Sequence, residues 1–283
     1  MPDNLNHYLQ QWTLRDPQLL ARNPTSNVYA VTLNAEKVIL KLLTPIGVED
    51  EYAGADALRH FDGEGAVRLL AYDDGAHLLE YAGDQELAQL VWRGDDLPAA
   101  EIIATLLNKL HHPQTAIPVP TWRTLRERFR ELFRQAERDA ALGTESIYVR
   151  GARMAERLLA TSREECVLHG DIHHHNIRLH PVRGWLAYDP KGLYGERLYD
   201  AANTLCNPSN ARERVMSEER MLAITQVLAD GMGVNVSRLR AFVFAYACLS
   251  ASWFGDDDNS DVKDVKHQVL TVAQNAERHI EDI

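Results

Sequence analysis

Val167-Leu168-His169-Gly170-Asp171-Ile172-His173-His174-His175-Asn176, followed shortly by Trp185-Leu186-Ala187-Tyr188-Asp189, decides the reading of this chain. Asp171 stands five positions before Asn176, and a short apolar run ends in a second carboxylate, Asp189. These are the groups that phosphoryl transfer needs. One carboxylate accepts a proton from an attacking hydroxyl, while an amide and a second carboxylate offer oxygens to magnesium. An Asp-x-x-x-x-Asn alone is weak, but here it lies between a buried-type run, Cys166-Val167-Leu168, and a following strand. The rival is zinc, because His169, His173, His174, His175 and His180 crowd the same stretch and dense histidine tracts bind metal. No Cys-x-x-Cys or His-Glu-x-x-His accompanies them, and Asp171, Asn176 and Asp189 suit a hard, oxygen-seeking cation.

His169-Gly170-Asp171 through Asn176 resembles the kinase catalytic loop H-R-D-x-x-x-x-N, with glycine in place of arginine. A kinase needs a nucleotide clamp upstream, and candidates follow in the right order. Asn27 to Leu33 alternates apolar and polar residues, Asn34-Ala35-Glu36 gives a turn, and Lys37 to Leu43 resumes a strand, which predicts a hairpin. Lys41 lies on its second strand, and Glu51 opens a helical pattern running to Phe61. In kinases a strand lysine holds phosphates and a helix glutamate positions it. By themselves the two residues read equally as an edge-strand solubiliser and a helix-start carboxylate. Between Asn23 and Asn27, where a phosphate loop would lie, there is no glycine, so Ser26 and Asn27 are the candidates for phosphate contact. His77-Leu78-Leu79-Glu80-Tyr81-Ala82-Gly83 is a strand ending in glycine; it matches a hinge whose main chain, at Glu80 and Ala82, bonds adenine.

After Gly83 the patterns turn helical, at 97–111, 125–136, 217–232, 237–253 and 261–281. Six arginines lie between Arg123 and Arg138, but Glu127, Glu131, Glu137 and Asp139 interleave with them, which marks a solvated, ion-paired face and not a nucleic-acid surface. With no linker or repeat, the chain divides near the hinge into lobes 1–82 and 83–283 around a cleft. Two roles fit Asp200: a cap for its helix, or an acceptor for catalytic-loop hydrogen bonds. Asp256-Asp257-Asp258 reads either as a plain acidic loop or as a draw for a polycationic substrate.

A chain of 283 residues has ample core for such a fold. A formal charge of −11 argues against nucleic-acid binding and suits a cationic acceptor. Three unpaired cysteines (Cys166, Cys206, Cys248) predict a reduced, cytoplasmic protein. The amino terminus lacks a signal-peptide pattern, and the apolar run from Ala241 to Leu249 is far short of a membrane span.

Together these features resemble the aminoglycoside/hydroxyurea antibiotic resistance kinase family, in the branch that contains streptomycin 6-kinases. The resemblance rests on Ser26-Asn27-Val28, Val38 to Lys41, Glu51, Asp62-Gly63 with Gly65 and Arg68, and Leu110-His111. It continues through His169-Gly170-Asp171 with Asn176, Asp189-Pro190-Lys191-Gly192-Leu193, Tyr199-Asp200, Asn207-Pro208 and Ser250 to Trp253. The Asp-Pro-Lys-Gly run is the most specific. The resemblance implies an α+β, bilobal protein-kinase-like fold, with a small antiparallel-sheet N-lobe and a mostly helical C-lobe. It implies Asp171 as catalytic base, Asn176 and Asp189 on Mg2+, and Lys41 with Glu51 on the phosphates of ATP. The implied reaction phosphorylates a hydroxyl of a small molecule, streptomycin or hydroxyurea, in a monomer or weak dimer. A housekeeping kinase of a small alcohol, amino alcohol or sugar is the alternative.

Overall fold

Asn34 and Ala35 both take positive φ, 49° and 69°. This two-residue turn matches the twist of paired strands. It folds β2 (Ser26–Leu33) onto β3 (Glu36–Leu43), in register from Leu33↔Glu36 to Ser26↔Leu43. The structure is a computed structural model; it describes residues 4–112, 122–255, 259–281 and 283, without the side chains of 4 and 49–52. The expected hairpin is present, but it is the middle of a larger antiparallel sheet. With β1 (Arg15–Arg22), β4 (Leu69–Asp73) and β5 (Ala76–Glu80), the order is β1-β2-β3-β5-β4. Sequence periodicity misses β1 because it is an almost wholly exposed edge, broken by register shifts after Arg15 and Leu19. An edge strand of that kind shows no period-two apolar pattern. Lys41, by contrast, sits on the central strand, opposite Val28 on one side and His77 on the other. That excludes the edge-solubiliser reading.

One face of the sheet buries Leu14, Val31, Val38, Leu40, Leu42 and Leu78 under Tyr8 of α1 (Asn4–Gln11). α2 (Pro45–Phe61) begins at Pro45, well before the expected start at Glu51. Thr44 supplies the cap by accepting from Gly47 N at 3.2 Å, and Pro45 is pre-set for the first helical position. The lower end of α2 (Ala57, Leu58, Phe61) belongs to the same apolar cluster as the helices that follow. The nucleotide-type sheet is thereby seated on the second lobe.

β5 ends at Glu80 and the helices begin with α3 (Ala88–Arg93) and α4 (Asp96–Leu110). Then come α5 (Leu125–Arg128), α6 (Arg130–Ala141), α7 (Ile147–Ala160), α8 (Leu198–Asn203), α9 (Arg212–Val215), α10 (Glu218–Met232), α11 (Val236–Ser252) and α12 (Ser260–Glu277). α11 is apolar on every side; its phenylalanines, Phe242 and Phe244, are fully buried, which makes it the core helix of this lobe. The catalytic-loop region is held by short strands. β10 (Leu193–Glu196) pairs antiparallel with β7 (Glu165–Leu168) and parallel with β6 (Arg123–Thr124); β8 (Ile177–His180) and β9 (Gly184–Ala187) form a hairpin. The fold is α+β, a sheet lobe on a helical lobe. No helix among the described residues is long and apolar enough to cross a membrane.

Candidate active site

β7 delivers the catalytic stretch, and a buried carboxylate shapes its turn. Asp200, in the first turn of α8, accepts from His169 N at 2.8 Å and Gly170 N at 2.7 Å, and it bonds His111 Nε2 at 2.8 Å. Of the two roles open to Asp200, it therefore braces the loop. Gly170 has φ +79°, and a Cβ there would meet the Leu193 side chain at 2.8 Å. That crowding explains glycine where protein kinases carry arginine. His169 is buried, and burial pushes its pKa down, so the ring is neutral. Its Nε2 bonds the Tyr188 carbonyl at 3.1 Å and its Nδ1 accepts from Asp171 N at 3.3 Å. One imidazole thus ties Asp171 to the residue before Asp189.

Asp171 receives Asn203 Nδ2 on Oδ1 at 3.1 Å, and Asn176 Nδ2 donates to its main-chain oxygen at 2.9 Å. Burial pushes the Asp171 carboxyl up to about 6, with Asp189 adding to the rise and Lys191 and Arg128 opposing it. A carboxylate tuned toward neutral pH is a better proton acceptor than one near 4. Asp189 adopts φ +63°, the left-handed region that aspartate tolerates better than most residues. Its carboxylate forms an ion pair with Lys41 Nζ. Burial would raise its pKa, but Lys41 and Lys191 outweigh burial and hold it below the usual carboxylate range. Asp189 is charged at neutral pH.

Main-chain contact positions α2 over this centre. A Cβ on Gly47 would meet Thr25 O at 1.9 Å, one on Gly54 would meet Pro190 O at 2.4 Å, and one on Gly192 would meet Ala53 O at 2.3 Å. Helical spacing puts position 51 on the stripe of Gly47 and Gly54, between the two loops; the Glu51 side chain lies outside the described residues. Thr44 closes the arrangement, donating from its hydroxyl to Pro24 O at 2.7 Å and from its amide to Thr25 O at 2.8 Å. The glycine-free turn between β1 and β2 is thus fastened to the start of α2.

Among the other candidates, Ser26 is buried at the first position of β2, and Asn27 beside it is half-buried. The Glu80 carboxylate is engaged by Arg183 and accepts from Arg68 N at 2.9 Å, so this position can serve a nucleotide only through its main chain. Ala82 is buried just after it. Asp256, Asp257 and Asp258 lie outside the described residues. The histidine run has separate structural duties. Burial holds His173 down to about 3 and His174 lower than usual too; His175 bonds Glu86 at 3.2 Å and Ser209 Oγ at 2.9 Å. Among the described residues no group of three histidine, cysteine or carboxylate side chains could hold a metal. The three cysteines are free, with Cys166 and Cys206 pushed up to about 12 by burial. Sequence reasoning missed Asn203 as a partner of Asp171, and it missed Lys191 and Arg128 as charges felt by that carboxylate.

Fold and site together define the class: a protein-kinase-like phosphotransferase that moves a phosphoryl group to a hydroxyl of a small molecule. Residues 11–258 match the aminoglycoside/hydroxyurea antibiotic resistance kinase family, and the chain belongs to it. A streptomycin 3''-kinase of Klebsiella pneumoniae is 38% identical over 254 residues, covering 88% of this chain and 91% of that protein. A hydroxyurea phosphotransferase of Kitasatospora aureofaciens is 29% identical over 266 residues, covering 91% of this chain and 74% of that protein. An amicoumacin kinase in complex with AMP-PNP and Ca2+ superposes with a TM-score of 0.63 at 14% identity, covering 98% of this chain and 95% of that one; at that identity the likeness speaks for the fold.

Proposed function

We propose that this kinase transfers the terminal phosphoryl group of MgATP to a hydroxyl of a streptomycin-like aminoglycoside, in the cytoplasm, as a monomer or weak dimer. One observation carries the chemistry: a half-buried Asp171 with a raised pKa, joined through Asn176 and His169 to Tyr188, the neighbour of a charged Asp189 that pairs with Lys41. Asp171 takes the acceptor proton. Residues 1–82 form the nucleotide lobe and 83–283 the catalytic and acceptor lobe. The adenine edge is read by the Glu80 carbonyl and the Ala82 amide, and the phosphates by the Ser26-Asn27 turn and by Lys41, which Glu51 positions.

The donor set fits magnesium. Asp189 already neutralises a cation, Lys41, and the Asn176 amide nitrogen is engaged by Asp171, leaving its carbonyl oxygen for a hard ion. When bound there, the ion supplies charge for the phosphate oxygens, while Lys41 shifts from Asp189 to the nucleotide. Lys41→Ala is expected to lower kcat about a hundredfold, on the order of 3 kcal/mol of transition-state stabilisation. Glu51→Ala is expected to do less, because it acts through the lysine. A double variant no worse than Lys41→Ala supports one coupled unit; fully additive losses measured in a double-mutant cycle count against it.

The acceptor assignment follows the streptomycin 3''-kinase relative, 38% identical over 254 residues. Streptomycin carries guanidinium groups, and a formal charge of −11 favours their capture. ADP release measured across aminoglycosides, hydroxyurea and small alcohols tests the reading. Streptomycin should give the largest kcat/KM, with a KM that rises with salt as screened attraction requires. The hydroxyurea phosphotransferase relative favours a second reading, a neutral small acceptor. A salt-independent KM, unchanged by Asp256/Asp257/Asp258→Asn, would support that reading instead.

A further inference from the structure

Arg220 and Arg238 of the helical lobe are buried and Arg128 is half-buried, and Arg128 is unlike the other two. Arg220 clasps Asp96 through Nε at 2.6 Å and Nη2 at 3.1 Å, and it also donates to Asn207 O at 3.0 Å. Arg238 clasps Glu196 through Nε and Nη2, both at 2.6 Å, and donates to Thr161 O at 2.8 Å. Both are the bidentate pairs that a buried guanidinium requires. Arg128, at the end of α5, makes one hydrogen bond, from Nε to the Tyr199 hydroxyl at 3.1 Å. Its guanidinium lies 4.5 Å from the centre of the Trp253 ring. Among the described residues no carboxylate comes within ion-pair distance of it, and its four terminal N–H donors have no partner.

The surroundings of Arg128 give those donors a direction. Tyr199 adjoins Asp200, which braces the catalytic loop. An aromatic wall runs from Tyr199 to Tyr246, 5.4 Å between ring centres, and on to Trp253 at 6.3 Å. Its outer end is open, with Trp253 41% exposed. Arg128 lies on this wall, and Asp171 is among the charges that act on it. Tyr199 and Asn203, one turn apart on α8, bond Arg128 and Asp171 respectively, so a fork with free N–H groups, the exposed Trp253 ring and Asp171 are gathered at one end of that helix. Oxygen-rich rings present hydroxyls to such a fork and a C–H face to such a ring.

We infer that Arg128 and Trp253 form an acceptor subsite that binds a polyhydroxylated ring, with Arg128 donating to an oxygen adjacent to the hydroxyl that Asp171 deprotonates. The inference rests on the proposed phosphotransfer reading and adds a constraint to it. A fixed cation beside the reacting hydroxyl disfavours an ammonium or guanidinium at that point, so the positive groups of the acceptor must face elsewhere.

Steady-state kinetics of the whole enzyme test the subsite, with streptomycin as acceptor and Arg128→Met, Arg128→Lys and Trp253→Ala as variants. Arg128→Met should raise the acceptor KM about 10- to 100-fold, the range for losing charge-assisted hydrogen bonds. The KM for ATP and acceptor-free ATP hydrolysis should stay within about twofold, because uniform loss of acceptor binding touches neither. Arg128→Lys should recover part of the loss, since a lysine replaces a fork with a point charge. With an acceptor lacking the neighbouring hydroxyl, Arg128→Met should cost little, the non-additivity of a direct contact. An unchanged acceptor KM in Arg128→Met overturns the inference. So does an equal rise in both KM values accompanied by a lower Tm, which marks a structural arginine. If wild type turns over no aminoglycoside, the proposed acceptor fails separately, and the same variants are read on whichever alcohol or sugar it does phosphorylate.

Discussion

Asp171→Asn is expected to lower kcat by about two to four decades while leaving MgATP affinity nearly intact, the range for removing a positioned base. The substitution is chosen to spare the scaffold. Asn203 Nδ2 donates to Asp171 Oδ1 at 3.1 Å, and an asparagine oxygen can accept that bond as well. The Asn176 bond to the main-chain oxygen does not depend on the side chain. What is lost is the proton acceptor. Because burial places its pKa at about 6, the wild-type rate should fall as pH drops through that value, where the carboxylate becomes protonated and stops accepting. The sign follows from the active form being the deprotonated one. In Asp171→Asn the residual rate should lack this acid limb. A variant that keeps near-normal turnover on its own acceptor, or retains the same acid limb, would show that another group takes the proton.

The catalytic stretch was legible in the sequence because its chemistry is local. Asp171 and Asn176 lie in one loop, and Asp189 ends the next hairpin, so spacing alone brings them together. Lys41 needed an argument across distance: its strand pattern fitted an edge solubiliser too, and only the downstream Asp171–Asn176 spacing favoured it, whereas the structure puts it on the central strand. The groups that surround Asp171 were not legible. Asn203 reaches Asp171 from α8, and Arg128 comes from a segment whose pattern reads as an ion-paired surface helix. That reading holds for Arg126, which pairs with Glu156, and for Arg134, which pairs with Glu131. It fails at Arg128 because periodicity places a residue near the apolar stripe without saying what waits there. The histidine run has a density that suggests metal, but the absence of Cys-x-x-Cys and His-Glu-x-x-His spoke against zinc in the sequence, and in the structure hydrogen bonds to Glu86 and Ser209 occupy His175. Asp200 was legible only as two alternatives, which the amides of His169 and Gly170 decide.

Asp189→Asn is the sharper probe of the metal role, and it should abolish magnesium-dependent nucleotide binding. Alanine at this position would confound two effects, since φ is +63° there and alanine adopts that conformation less readily than asparagine or aspartate. Asparagine keeps the shape and the left-handed tolerance and removes only the charge. In the unliganded protein that charge is paired with Lys41 and supported by Lys191. Its removal takes negative charge away from a site on which Lys41 and Lys191 both act, which by itself would favour phosphate binding. The prediction therefore separates by metal: nucleotide affinity measured in EDTA should hold or improve, whereas the gain that magnesium gives the wild type should vanish. Turnover should fall by at least the factor expected for Lys41→Ala, because the substitution removes a charge that both the ion and the lysine use. Unchanged affinity for MgATP at saturating magnesium would refute Asp189 as a ligand and leave Asn176 to hold the ion without it, which a single neutral amide oxygen does poorly against water.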